Sequence, residues 1–266
     1  MATPSATVKV MIDAARKAAK GLLRDFGEVT QLQVSKKGPA DFVTAADMKA
    51  EQVLLEELSK SRPGYSFLME ERGRVEGTDK THTWIVDPLD GTTNFLHAIP
   101  HWAINIALER EGAGVVAAVT YNPAADELFW AEKGKGAFLN NERRLRVAAR
   151  RNLDEALLAT GIPFSGRPGH AQFLKELHQM TARVAGVRRF GSAALDMAGV
   201  AAGRYDAYWE RGIKPWDIAA GLLMITESGG MVTSADGAAD PLGAGTVLAA
   251  NLDLHPVVLE RLRAAA

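Results

Sequence analysis

Residues 84–95 read Trp84-Ile85-Val86-Asp87-Pro88-Leu89-Asp90-Gly91-Thr92-Thr93-Asn94-Phe95, an apolar run that ends on an aspartate and turns at once into a second one. Thr81–Val86 has the composition of a strand, which delivers the chain to Asp87. Pro88 lacks an N–H and holds φ near one value, so it stiffens the bend. Gly91 permits either φ > 0 or the close approach of a ligand. If a helix opens near Asp90, the N–H groups of Gly91 and Thr92 face outward and can receive phosphate oxygens. Two carboxylates held this close repel one another unless cations or protons neutralise them. Hard oxygen donors of this kind suit Mg²⁺, which uses few carboxylates and keeps several waters. Asp-x-x-Asp pairs are also common in ordinary turns, so this stretch alone leaves both readings open.

Two other places add acidic residues at the ends of regular elements. Glu70-Glu71 follow the apolar strand pattern Tyr65–Met69, and Asp217 opens an apolar helix after Lys214-Pro215-Trp216. Helix capping would also account for Asp217. Together the three fragments describe an acidic metal site at strand and helix ends.

Working outward, Ser5–Phe26 reads as a first helix, with Val8, Met11, Ile12, Ala15, Ala19, Leu22 and Leu23 at helical spacing. Lys36–Pro39 reads as a loop. Thr44 opens a second helix reaching about Ser59, and Thr44 with Asp47 forms a capping box in which Asp stands for the usual Glu or Gln. Ile104–Glu109, Val115–Tyr121 and Glu127–Ala131 form an antiparallel meander, turning once at Asn122-Pro123. Leu153–Thr160 and Ala171–Thr181 carry further elements. Ala193–Ala202 is a short helix, Tyr205–Trp209 a strand, and Trp216–Glu227 a helix closed by Gly229-Gly230. Thr246–Ala250 reads as a strand and Pro256–Ala264 as a last helix. This irregular alternation argues for layered sheets and helices instead of a βαβ series.

Composition narrows the chemistry. The 266 residues are 47% hydrophobic and 24% charged, an ordinary folded mixture. A net charge of -1, from 31 basic and 32 acidic side chains, gives no overall field to draw nucleic acid or an anionic membrane. The local run Arg143, Arg144, Arg146, Arg150 and Arg151 reads as solvated surface, with an anionic partner as the alternative. The chain has no cysteine, which excludes disulfides, thiolate ligands and cysteine nucleophiles. MATPSATVKV has no basic-then-apolar leader pattern, and no stretch approaches the roughly 18 apolar residues of a membrane span, so a cytoplasmic location is expected.

Four motifs keep the order and approximate spacing of the inositol monophosphatase family: Asp41-Phe42-Val43-Thr44-Ala45-Ala46-Asp47, Glu70-Glu71, the stretch 84–95, and Trp216-Asp217-Ile218-Ala219-Ala220-Gly221. The chain resembles bacterial cytoplasmic members of that family from the first helix nearly to its C-terminus. The resemblance implies an α+β or α/β fold layered as an αβαβα sandwich. It also implies one domain over residues 1–266, divisible near 145–155 into two closely packed halves, as well as a homodimer and lithium sensitivity. It implies two or three Mg²⁺ ions per active site. Glu70, Asp87 and the Leu89 carbonyl would hold one ion, Asp87, Asp90 and Asp217 a second, and Glu70 a third through water. Thr92, oriented by Asp47, would position and activate the attacking water together with Glu70. The N–H groups of Gly91 and Thr92 would bind phosphate. Gly191, Ser192 and Ala193 would lie beside the substrate ring, and Glu210 would accept hydrogen bonds from its hydroxyls.

The reaction implied is phosphomonoester hydrolysis by water, of the inositol-1-monophosphatase class. Inositol 1-phosphate is the leading substrate. Thr93-Asn94 matches the inositol pattern, where relatives acting on nucleotide 3′-phosphates often carry Lys or Arg at the first of these positions, and Glu210 suits a neutral polyol better than a second anion. Fructose 1,6-bisphosphate, other sugar or glycerol phosphates and histidinol phosphate are the alternatives. His82, His97 and His101 flank the motif and read as surface or packing residues. Met69 departs from the family, which has glycine there. Methionine would be strained at φ > 0 and nearly silent if extended, and the extended reading is favoured. Arg188-Arg189-Phe190-Gly191-Ser192-Ala193-Ala194-Leu195-Asp196 resembles bacterial members that associate with transcription antitermination machinery. A binding role with RNA polymerase or antitermination factors is therefore a second functional class, and a surface or dimer-edge pair is the plainer account of Arg188-Arg189.

Overall fold

Side chains alternate across a strand, and the alternation along the 84–86 segment separates two cores. Trp84 and Val86 point one way and Ile85 the other. The computed structural model describes residues 3–26, 34–38 and 41–265.

The chain begins with α1 (Ala6–Phe26), which buries Met11, Ala15 and Leu22 but leaves Leu23 exposed. A short hairpin follows, β1 (Val34–Gly38) with β2 (Asp41–Thr44), and leads into α2 (Ala45–Ser61). The segment expected as a loop is thus largely strand: Lys36 pairs with Phe42 and Gly38 with Asp41. Its Lys-Lys-Gly composition carries little strand propensity, and the pairing partner supplies what the local sequence does not. Pro39 lies outside the described residues.

Next come β3 (Tyr65–Met69), β4 (Gly73–Val75), β5 (Asp79–Asp90), α3 (Thr92–Leu96), β6 (Ala103–Arg110), β7 (Gly114–Asn122), β8 (Glu127–Glu132), β9 (Gly136–Leu139) and β10 (Arg143–Arg144). These strands form an eight-stranded sheet in the order β10-β9-β8-β7-β6-β5-β3-β4, antiparallel except where β3 meets β5. The second half contains β11 (Leu157–Thr160), α4 (His170–Thr181), β12 (Gly186–Arg188), α5 (Ala193–Ala201), β13 (Ala207–Arg211), α6 (Pro215–Glu227), β14 (Gly230–Thr233), α7 (Pro241–Ala244), β15 (Thr246–Asn251) and α8 (Leu254–Ala264). Its five-stranded sheet runs β12-β11-β13-β15-β14, with the first three strands parallel.

Three apolar cores stack these elements. The first joins α1 and α2 to one face of the large sheet through Leu54, Leu58, Trp84 and Ile106. The second fills the space between the sheets with α5 and α6, where Met197, Ile218 and Met224 meet Ile85 on one side and Tyr208 and Val247 on the other. The third packs Trp209 and Leu248 against Phe173 of α4 and Val258 of α8. The order is therefore helices, sheet, helices, sheet, helices, the expected αβαβα sandwich. The middle helices face a sheet on both sides, so every α5 residue from Ala194 to Ala201 is buried. They also touch each other closely. A Cβ on Gly221 of α6 would lie 2.6 Å from Cβ of Met197.

Met69 closes β3, is fully buried in the first core, and is not among the non-glycine residues with positive φ, which among the described residues are Ala98, Asp126 and Asn140. The extended reading of that position is the correct one. The five arginines of the basic run are exposed, and Arg150 and Arg151 pair with Asp206 and Asp253 at 3.2 and 3.3 Å. No described helix is long and apolar enough to cross a membrane.

Candidate active site

In a regular strand Asp87 and Asp90 would point to opposite faces, being three residues apart. Here the ladder slips: Asp87 pairs with Asn105, but Asp90 pairs with Ala103. This bulge places one more residue on β5 than on β6 and brings both carboxylates to one side. Asp87 Oδ1 accepts from the Leu89 N–H at 2.9 Å, which fixes the bend from within. Asp90 meets the N-terminus of α5. It accepts from Ser192 Oγ, from the Ala194 N–H at 2.9 Å, and from the Ala193 N–H. Ser192 in turn caps α5, its Oγ accepting from the Leu195 N–H at 3.3 Å.

Asp217 arrives from the first turn of α6. Pro215 opens that helix with Lys214 as its N-cap, and Asp217, at the third helical position and not the cap itself, accepts from the Lys214 N–H through Oδ2 at 2.9 Å, so it shares in closing the helix start. Capping engages one side of the carboxylate and leaves it in the cluster. Asp87, Asp90 and Asp217 each place a carboxylate oxygen within 4.8 Å of the others. Glu70, just past β3, hydrogen-bonds Asp87 with its side chain.

Such crowding is costly for like charges. Burial pushes the Asp87 carboxyl well above the usual carboxylate range, and Glu70, Asp90 and Asp217 push it further. Asp217 is raised by burial and then by Asp90. Burial lifts Asp90 to about 6 against the opposing hydrogen bonds from Ser192 and the α5 backbone. An all-carboxylate cluster of this kind has the charge and the hard oxygen donors that a divalent cation takes. The donor set fits such an ion.

Thr92 stands beside the cluster. Its Oγ1 lies 3.3 Å from Asp47 Oδ1 and 3.1 Å from the Leu89 carbonyl, within donating distance of both. Asp47 is held as expected, in a capping box at the start of α2, where its Oδ2 accepts from the Thr44 N–H at 2.9 Å. Burial leaves the Asp47 carboxyl raised to about 6. Gly91 caps α3 with φ 94°, a conformation that favours glycine, and the leading N–H groups of that turn have no acceptor within the helix.

A cleft of about 300 Å³ collects most of the expected residues. Glu70, Asp90, Gly91, Thr92, Gly191, Ser192, Ala193, Glu210 and Asp217 all line it. Asp47, Asp87 and Leu89 are not among the lining residues. Ser192 and Ala193, expected beside a substrate ring, do border the cleft, and both also donate to Asp90. Glu210 accepts from the Tyr208 hydroxyl, and burial pushes its carboxyl up to about 7. It packs so closely over Gly161 that a Cβ there would lie 1.9 Å from its carboxyl carbon. Gly161→Ala is therefore expected to fold, because the long Glu210 side chain can swing aside. The displaced carboxylate should cost about tenfold in kcat/KM for a hydroxyl-rich substrate. Steady-state kinetics beside a melting curve checks this.

Some residues that build the site were not anticipated. Asn105, buried opposite Asp87, donates from Nδ2 to the carbonyls of Trp216 at 2.7 Å and Asp217 at 3.1 Å, pinning the start of α6 to the large sheet. Its signal was a lone amide inside the apolar run Ala103–Leu108. Asn94 donates to the carbonyls of His101 at 2.7 Å and Phe190 at 2.8 Å, tying α3 to the segment before α5. No histidine lines the cleft among the described residues. His82 stacks on Tyr65 at 4.5 Å and His101 lies 5.3 Å from Phe190, in keeping with packing roles. The Arg188-Arg189 pair is divided, with Arg188 on β12 and Arg189 lining the cleft.

The carboxylate-rich cleft of this layered fold is, by the family to which sequence and structural similarity assign the chain, that of a phosphatase. The model of the inositol monophosphatase family matches residues 4–266, and the chain belongs to that family. It is 72% identical over 256 residues to an inositol-1-monophosphatase of Caulobacter vibrioides, covering 96% of this chain and 100% of that one. It is 40% identical over 256 residues to the Nus factor SuhB of Escherichia coli, covering 96% and 95%. The crystal structure of extragenic suppressor protein suhB from Bartonella henselae matches with a TM-score of 0.94 at 52% identity, covering 97% of this chain and 99% of that one.

Proposed function

We propose that this phosphatase hydrolyses the phosphomonoester of a small polyol, inositol 1-phosphate foremost, using Mg²⁺ held by Glu70, Asp87, Asp90, Asp217 and the Leu89 carbonyl. The observation that carries the reading is the convergence of Asp87, Asp90 and Asp217 within 4.8 Å, delivered by a strand end and a helix start, beside the Gly91-Thr92 turn. Mg²⁺, when bound, supplies positive charge that acidifies water and screens the phosphate from an incoming nucleophile.

The chain's own groups do the rest. The N–H groups of Gly91 and Thr92 receive phosphate oxygens. The Thr92 hydroxyl, oriented by Asp47, accepts a hydrogen bond from the attacking water, and Glu70 accepts a second and takes the proton. Water displaces the alcohol directly, without a phosphoenzyme: its oxygen bonds phosphorus as the ester P–O bond breaks, and the departing oxygen takes up a proton from solvent while Glu70 returns its own. Glu210, with Gly191, Ser192 and Ala193, holds the departing polyol. Two or three ions per site, lithium sensitivity, a homodimer and a cytoplasmic location belong to the same reading and rest on family membership. So does a single domain over 1–266, which is also supported by the core that α5 and α6 share with both sheets.

The test is a Mg²⁺-dependent phosphate-release screen over inositol 1-phosphate, fructose 1,6-bisphosphate, nucleotide phosphates and histidinol phosphate. Glu210→Gln is expected to impair inositol 1-phosphate several-fold more than phenyl phosphate, and equal losses would remove its assigned role. A second reading, association with RNA polymerase or antitermination factors, is favoured by the 40% identity to the Nus factor SuhB. A pull-down with those components at low salt decides it, and no retention argues against it.

A further inference from the structure

The two groups assigned to the attacking water both answer to one helix. Asp47, which lies within reach of the Thr92 hydroxyl, sits in the first turn of α2. Glu51 follows it by four residues, one turn along the same face, and both are fully buried. Glu51 has no part in the scheme above and does not line the cleft. Its Oε2 accepts from the Glu71 N–H at 2.8 Å, and its Oε1 lies 3.2 Å from Nε of Arg72.

That bond falls on the turn that carries Glu70. The Glu70 N–H itself donates to the Val86 carbonyl at 3.3 Å. Two successive N–H groups are therefore tied to two different elements, the first to β5 one residue before Asp87, the second to α2. A buried carboxylate is a costly means of closing a turn, and its ion pair with a partly exposed arginine adds little net stability over packed apolar side chains. What Glu51 supplies is an acceptor at a fixed point on a helix, one turn from the carboxylate beside Thr92.

We propose that Glu51 is a positioning residue for Glu70, setting it against the same helix that sets Thr92, so that one rigid element fixes the spacing of the two acceptors for the attacking water. The inference rests on the phosphatase reading and deepens it. Glu51 touches neither substrate nor ion and acts through the Glu71 N–H. Loosening that bond moves Glu70 relative to Thr92 and Asp87. Mg²⁺ is then held more weakly and the reaction slows, while Gly91, Thr92 and Glu210 keep their places around the substrate.

The experiment compares wild type with Glu51→Met, Glu51→Ala, Glu51→Gln and Arg72→Ala. Its readouts are kinetics on inositol 1-phosphate and phenyl phosphate at saturating Mg²⁺, calorimetric titration of Mg²⁺ into the metal-free protein, and melting curves. Methionine fills nearly the same volume without an acceptor, so Glu51→Met should fold. Its kcat should fall about thirtyfold, by the same factor on both esters, with KM unchanged and Mg²⁺ bound about tenfold more weakly. Glutamine keeps an acceptor at the same point and should recover most of both losses. Arg72→Ala removes the ion pair and leaves the Glu71 bond, so it should match wild type in kcat and Mg²⁺ affinity even where its melting point falls. Wild-type kcat and Mg²⁺ affinity in Glu51→Met, no recovery in Glu51→Gln, or an Arg72→Ala as slow as Glu51→Met would each overturn the proposal. Failure of both Glu51→Met and Glu51→Ala to fold would mark a residue needed for the fold alone, and overturns it too. In all these cases wild type still hydrolyses an ester with Mg²⁺, and the phosphatase reading stands. Wild type that shows no Mg²⁺-dependent hydrolysis of either ester refutes that reading and this inference with it.

Discussion

Asp90→Asn is expected to lower Mg²⁺-dependent phosphate release about a thousandfold while raising the melting point of the metal-free protein. The asparagine oxygen can still accept from Ser192 and Ala194, so α5 stays docked, but the cluster loses one charge and one anionic donor. The rate loss is of the size seen when a single electrostatic contact to a reacting centre is removed. The stability gain follows from the sign of the pKa shift. Asp90 is raised in the folded state to about 6, so the folded protein holds that proton more tightly than the unfolded chain does. The resulting stabilisation is complete at low pH and is lost as pH climbs from about 4 through 6. Negative charge at the start of α5 favours the helix by about 0.3–1 kcal/mol. Burial outweighs it, since the shift is upward despite that contribution. The gap in melting point between mutant and wild type should therefore widen from pH 4 to pH 7, by a few degrees at about 2–4 °C per kcal/mol. Added Mg²⁺ should narrow it. Phosphate-release kinetics and melting curves at several pH values check both halves, and undiminished turnover would remove Asp90 from the metal site.

Gly91→Ala should damage fold and activity together. At φ 94° an L-residue is strained, and its Cβ would lie 3.1 Å from the His101 carbonyl oxygen, 3.3 Å from that of Gly191 and 3.3 Å from Cα of Trp102. All three are backbone atoms, so no side chain can rotate away to make room. Strain and crowding together should cost about 2–4 kcal/mol in urea denaturation. Relief is available only by moving the turn, which carries the Thr92 N–H and hydroxyl out of place. The loss in kcat/KM should accordingly reach about a hundredfold even where the protein remains folded. A variant with wild-type urea midpoint and wild-type kinetics would show that this turn does not hold phosphate. Gly161→Ala is a useful contrast, because there the obstacle is the end of a side chain and not the main chain.

The two glycines illustrate what could be read from the chain. Gly91 stands inside a run whose turn residues and aspartates announce a bend, and the structure gives it the positive φ that the bend required. Strands Tyr65–Met69 and Glu127–Glu132 and the helix over Pro215–Glu227 were legible because their apolar residues follow a simple period and their ends carry ordinary turn or cap chemistry. The Thr44–Asp47 capping box was legible for the same reason. The β1 strand was not, since its pairing is decided by β2 and not by its own residues. The site was legible as a set of carboxylates but not as a geometry. No local pattern announces that β5 slips register beside Asn105, or that Ser192 and Ala193 aim their donors at Asp90. Those contacts join residues roughly a hundred positions apart, and only the packed layers bring them together.

The close contact between Gly221 and Met197 gives the middle of the molecule a say in its chemistry. Asp90 is seated on the start of α5 and Asp217 rides on the start of α6, so the gap between the two helices sets the bite of the carboxylates. A methyl group added at Gly221 would press on Met197 from within the core while every residue lining the cleft stayed the same. The packing of two buried helices thus bears on carboxylates that neither Gly221 nor Met197 touches, and the shape of the cluster is set partly from behind.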